Sequence, residues 1–140
     1  MFKEIHIKRR YTLGSSERLK SRKLIGQLFN EGKSFSSGTV KGLYIISEES
    51  TDPLKCGFTV SSKTFKKAVD RNRVKRLMRE CYRLQKPTLH QFLIDHKQTL
   101  SIFMIYRGKE IPSYSLLFET IGDVLKKLLK FANENISQDS

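Results

Sequence analysis

The chain has 140 residues, 38% of them hydrophobic, which suits one domain with a core of its own and is short for two. Its 27 basic and 14 acidic residues leave a formal charge of +13, which points to a polyanionic partner, with nucleic acid ahead of an anionic membrane. No apolar run approaches the roughly 18 residues of a membrane span, and Met1 to Tyr11 lacks the apolar stretch of a secretory signal, so a cytoplasmic protein is expected.

In chain order, residues 1–17 read as a basic N-terminal arm, punctuated by Gly14, Ser15 and Ser16 and expected to become ordered only on a ligand. A single α+β domain is expected over 18–133, with a frayed tail over 134–140. Ser21 can cap a helix in which Leu24, Ile25, Leu28 and Phe29 share a face, and Gly32 stands where a left-handed residue ends a helix. Strands are predicted at Lys33 to Ser37, Thr39 to Ser47 and Leu54 to Ser61. The acidic turn from Glu48 to Pro53 separates the last two, and an antiparallel meander is expected. The loop Ser62 to Lys67 then leads into a helix from Val69 to Arg83. Pro87 ends or breaks that helix, with further turns around Leu89, Phe92 and Leu93. Thr99 to Tyr106 is apolar on both faces and therefore reads as a central strand. Ser113 can cap a last helix reaching about Asn133, with Leu117, Ile121, Val124, Leu125 and Leu128 inward. The sum is an α+β two-layer sandwich: a mixed sheet of about four strands with helices on one face.

The charge is localised. Residues 1–30 carry eight basic and two acidic residues, residues 60–83 carry nine and two, and the other 86 residues hold ten of each sign. A merely soluble basic protein would scatter its excess among acids. In the helix from Val69 to Arg83, Val74, Leu77, Met78 and Cys81 recur at one-face spacing. Asn72, Arg76, Arg79 and Arg83 line the opposite side, flanked by Arg73 and Lys75. Arginine forks on successive turns suit successive phosphates. Asn72 can pair with a base edge or ribose hydroxyl, or it can pin the preceding loop. Phe29, Phe35, Tyr44, Phe58 and Phe65 can stack unpaired bases or fill the core.

Chemistry by the protein itself has little to work with. The aspartates at 52, 70, 95 and 123 are dispersed, without the paired spacing that holds two metal ions. His6, His90 and His96 are isolated. Cys56 and Cys81 lack short-spaced partners and read as core thiols, so neither a catalytic residue nor a metal ligand is assigned.

The run Arg71-Asn72-Arg73-Val74-Lys75-Arg76-Leu77-Met78-Arg79-Glu80 resembles the protein subunit of bacterial ribonuclease P. It follows, in the family's order, Gly57-Phe58-Thr59-Val60-Ser61, Lys63 and Ala68. Arg18-Leu19, Leu28-Phe29 and Gly32 are similar to the family's first helix, and Leu100 to Arg107 to its last strand, so the resemblance covers roughly residues 18–130. It implies a left-handed βαβ crossover, against the usual hand. It also implies a non-catalytic protein subunit of an endoribonuclease whose RNA subunit holds the active site and its Mg2+, and which removes the 5′ leader of precursor tRNA. The protein would bind that RNA and the single-stranded leader, raising affinity for substrate and magnesium. By the resemblance, Arg71, Asn72, Arg73, Lys75, Arg76, Arg79 and, continuing the same stripe, Arg83 bind the RNA subunit. Phe29, Phe58, Lys63 and, within one residue of alignment, Tyr44 bind the leader, together with Ile25, which stands where the family often has phenylalanine. Ser62 stands where many members carry a second lysine. The implied partners are the ribonuclease P RNA and precursor tRNA, with no membrane and no obligate protein partner; no cofactor is expected on the protein alone. A structural RNA-binding protein such as a ribosomal component is the alternative that the same basic helix and fold would serve.

Overall fold

The computed structural model describes residues 22–48 and 52–139, so the expected basic arm up to residue 17 lies outside the described residues. The elements run α1 (Arg22–Glu31), β1 (Lys33–Ser37), β2 (Val40–Glu48), β3 (Leu54–Val60), α2 (Ala68–Gln85), α3 (Pro87–Asp95), β4 (Gln98–Tyr106) and α4 (Tyr114–Asp139). All four strands lie where the alternation of side chains puts them. Their pairing differs from the expected meander. The sheet order is β1-β2-β4-β3, with the β1–β2 and β2–β4 pairs antiparallel and β3 parallel to β4. β4 is apolar on both faces and lies centrally, with helices over both faces of the sheet, and it pairs with β2 over the whole length from Val40↔Tyr106 to Glu48↔Gln98. Parallel neighbours need a long crossover, and α2 with α3 provides it.

Side-chain alternation divides the sheet into two faces. On one, Val40 and Tyr44 of β2, Leu54, Cys56 and Val60 of β3, and Leu100, Ile102, Met104 and Tyr106 of β4 form a buried core. Val74, Met78 and Cys81 of α2, Leu89 and Leu93 of α3, and Leu117, Ile121, Val124, Leu125 and Leu128 of α4 complete it. The expected placement of helices on one face therefore holds for α2, α3 and α4. Helix α1 takes the other face, against β2 and β4. There Leu28 is fully buried, Leu43 nearly so, and the Phe29 and Phe103 rings meet edge to face at 5.6 Å. The physical reason is the apolar pair Leu43 and Phe103, opposite one another in the register, which no element of the main core reaches.

Local signals differ in two places. Gly32 closes α1 by donating its N–H to the Leu28 carbonyl at 3.0 Å, but its φ is not positive; a side chain there would run into the Leu28 carbonyl, so close approach is what requires glycine. Gly38 is the residue with φ of +54°, and it turns the tight β1–β2 hairpin. Pro87 opens α3 in the first turn, where its missing N–H costs nothing. The Leu116 N–H donates to the Ser113 hydroxyl at 3.3 Å, capping α4. That helix continues to Asp139 instead of fraying after about Asn133; Ala132 is fully buried, and Asn135 and Ile136 remain half-buried beyond it.

Candidate nucleic-acid interface

Val74, Met78, Cys81 and Tyr82 bury one face of α2, which forces the opposite face outward. Asn72, Arg73, Arg76 and Arg79 are exposed there, with Lys75 half-buried on the flank. Among the described residues, none of these four cations carries a carboxylate partner. Like charges one turn apart cost a few tenths of a kcal/mol per pair, so the stripe is poised for an external anion. The exposed Lys63, Lys66 and Lys67 precede it in the approach loop.

Two predicted cations are otherwise engaged. Arg71 turns its guanidinium back, and Nη1 donates to the carbonyls of Phe65 at 2.7 Å and Lys66 at 2.9 Å. It pins the loop, the role that sequence had left open to Asn72, whose amide is instead exposed. Arg83 donates through Nε to Glu80 Oε2 at 3.2 Å and through Nη2 to Oε1. Glu80 thereby raises the guanidinium's pKa and half-neutralises the end of the stripe.

The second surface lies on the sheet face under α1. Ile25 is half-buried, while Phe29 is 55% exposed although its ring packs on Phe103. Phe103 faces Leu43 on one side and Gly57 on the other. On the β3 side Gly57 is buried and adds no side chain beside Phe103, and Lys55 and Thr59 flank it on the same face, both half-buried. Lys63 lies just beyond the end of β3, its N–H donating to the Ser61 hydroxyl at 3.2 Å. The result is a shallow aromatic trough, with Lys55 on its face and Lys63 following the strand that borders it.

Tyr44 and Phe58 do not belong to this trough. Tyr44 is 8% exposed and stacks on Phe131 of α4 at 5.1 Å with ring planes 5° apart. Phe58 meets Tyr82 of α2 edge to face at 5.5 Å. Both point to the main core because β-strand parity sends them there; the β2 residue that faces α1 is the neighbouring Leu43. Phe103 is the aromatic that sequence reasoning missed. β4 reads as apolar on both faces, yet Ser101 two positions before Phe103 marks the more polar face.

The other titratable groups described lie apart from this surface. His96 stacks on Phe92 with ring centroids at 4.2 Å and places Nδ1 2.9 Å from the Phe92 carbonyl. Among the described residues, no three His, Cys, Asp or Glu side chains gather to hold a metal ion. Cys56 and Cys81 are buried free thiols; burial pushes both up, Cys81 to about 11. No described helix is long and apolar enough to cross a membrane.

The ribonuclease P family model matches residues 13–129. The ribonuclease P protein component of Chlorobaculum tepidum is 34% identical over 132 residues, covering 87% of this chain and 86% of the relative. That of Porphyromonas gingivalis is 34% identical over 120 residues, covering 85% of each. Among solved structures, the ribonuclease P protein of Thermotoga maritima superposes with a TM-score of 0.63 at 28% identity, covering 79% of this chain and 96% of that one. A Staphylococcus aureus ribonuclease P protein mutant shares the fold, with a TM-score of 0.62 at 22% identity over 81% of this chain and 88% of its own.

Proposed function

The chain belongs to the ribonuclease P protein family, and from that premise we propose that it is the protein component of a ribonucleoprotein that removes the 5′ leader of precursor tRNA. The observation that carries this reading is the exposed stripe of Asn72, Arg73, Arg76 and Arg79 without carboxylate partners. In this assignment the stripe lies along the phosphates of the RNA subunit, with Lys75 beside it and Arg71 shaping the loop that leads into it. The trough of Phe29, Phe103 and Ile25 receives the single-stranded leader. Its rings stack on bases without selecting among them, and Lys55 and Lys63 neutralise its phosphates.

Magnesium held by the RNA subunit would supply Lewis-acid stabilisation and an activated water. The protein does not fit as its holder, since the described residues that would face RNA are cationic and no carboxylate cluster accompanies them. The protein's part is to bring cations to two strands of phosphate, which lowers repulsion between RNA subunit and substrate and so raises the effective affinity for both substrate and Mg2+.

Reconstitution with the cognate RNA tests this. Added protein should raise turnover of precursor tRNA at low Mg2+, and protein alone should cleave nothing. Unchanged turnover would overturn the reading, as would copurification with intact ribosomes and no association with the ribonuclease P RNA.

A further inference from the structure

β1 and β2 pair only from Ser37↔Val40 to Lys33↔Tyr44. β2 runs on to Glu48, paired with β4 on its other side, so from Ile45 to Glu48 its outer edge has no neighbouring strand among the described residues. An open edge of this kind is a template for an extended segment. Beside it lies a hollow of about 190 Å³ lined by Glu31, Lys33, Ile46, Phe131, Glu134 and Asn135. Phe131 and the Tyr44 ring stacked on it form its apolar wall. Glu31 accepts a hydrogen bond from the Gln27 amide at 3.3 Å; both Glu31 and Glu134 are exposed. Helix α1 also ends here, adding the negative end of its dipole. On a chain of +13, this is an acidic, half-apolar slot at an unpaired strand.

Those features select the occupant. The two carboxylates outnumber the single ammonium of Lys33 in the lining, which disfavours phosphates and hence RNA. A second copy brings the same net charge and must overcome repulsion between molecules. A cationic extended peptide fits, and the chain carries one. Residues 1–21 hold six basic residues (Lys3, Lys8, Arg9, Arg10, Arg18, Lys20) and two acidic ones (Glu4, Glu17), and Ile5-His6-Ile7-Lys8 alternates as a strand does. Reach is sufficient: α1 is ten residues, about 15 Å long, whereas Tyr11 to Ser21 can extend roughly 35 Å. The tether also keeps the segment at an effective concentration of order millimolar.

We infer that the N-terminal segment around Ile5 to Lys8 docks along the Ile45–Glu48 edge of β2 as an added strand, with its cations over Glu31 and Glu134.

Amide hydrogen exchange on the full chain tests this. The amides of Ile45 to Glu48 that point away from β4 should be protected. They should exchange at least tenfold faster in the double variant Glu31→Lys/Glu134→Lys. The same acceleration is expected in Ile7→Pro, which leaves the charge and the described core untouched. The β4 amides from Leu100 to Met104, unchanged in both variants, report that the domain remains folded. Equal exchange at the β2 edge in parent and Ile7→Pro would overturn the inference. So would protection that grows with protein concentration, which indicates a second copy, or protection that appears only when RNA is added.

Discussion

Arg71, Arg76 and Arg79 are equivalent in the sequence run but differ in what their guanidinium groups touch. Arg76 and Arg79 are exposed and lack carboxylate partners among the described residues, so each is available for one phosphate. Replacing either with Ala should weaken binding to the RNA subunit and reduce the log–log salt slope by about 0.7 to 0.9 per lost contact; an unchanged slope would show that the side chain faces elsewhere. Arg71, bound to the carbonyls of Phe65 and Lys66, should behave differently. Its replacement by Ala should lower stability to urea by about 1.5–3 kcal/mol, the usual scale for a charged donor on backbone carbonyls, even without RNA. The thiols make a pH statement. Burial, and secondarily Glu80, raises Cys81 from its ordinary 9.0 to about 11, so the folded state prefers the protonated form. The resulting stability is fully present below pH 9 and is lost as pH rises from 9 through 11. Urea midpoints for Cys81→Ala should fall less steeply over that window than those of the parent chain.

Among the elements, strand parity governs which aromatic rings can meet an RNA strand. Phe103 and Phe29 share the α1 face, whereas Tyr44 and Phe58 lie in the opposite core. Replacing Phe103 with Ala should cost about 1–3 kcal/mol in affinity for precursor tRNA, the range for loss of a stacking platform, and leave binding of mature tRNA unchanged. Equal losses for both substrates would assign Phe103 to packing alone. Glycine at position 57 places no side chain beside Phe103 on the β3 side, while α1 packs against β2 and β4. Residues of three strands thus form one trough because β4 sits in the middle of the sheet.

At the level of the whole molecule, excess charge and fold are arranged so that one cationic helix is outward and the sheet's second face is only partly roofed. Self-repulsion in a chain of +13 should be relieved by a polyanion. The RNA subunit at a hundredfold excess over its Kd should therefore stabilise the protein by about 2.7 kcal/mol, read as a rise in Tm that added salt reduces. Much of this is legible in the sequence. The amphipathic period of α2, the alternation of the strands, the caps at Ser113 and Pro87 and the clustered cations are local properties, written in residues three, four or two apart, so sequence alone determined the elements, the α+β class, the outward stripe and, through the run from Gly57 to Arg83, the family. Strand order, the partner of each guanidinium and the face taken by each aromatic ring depend on residues far apart in the chain. Inserting β4 between β2 and β3 requires contacts across the whole domain, and a shift of one position, from Leu43 to Tyr44, exchanges the trough for the core. Tertiary structure decided those matters because pairing and burial are settled by all the elements competing for the same apolar surface.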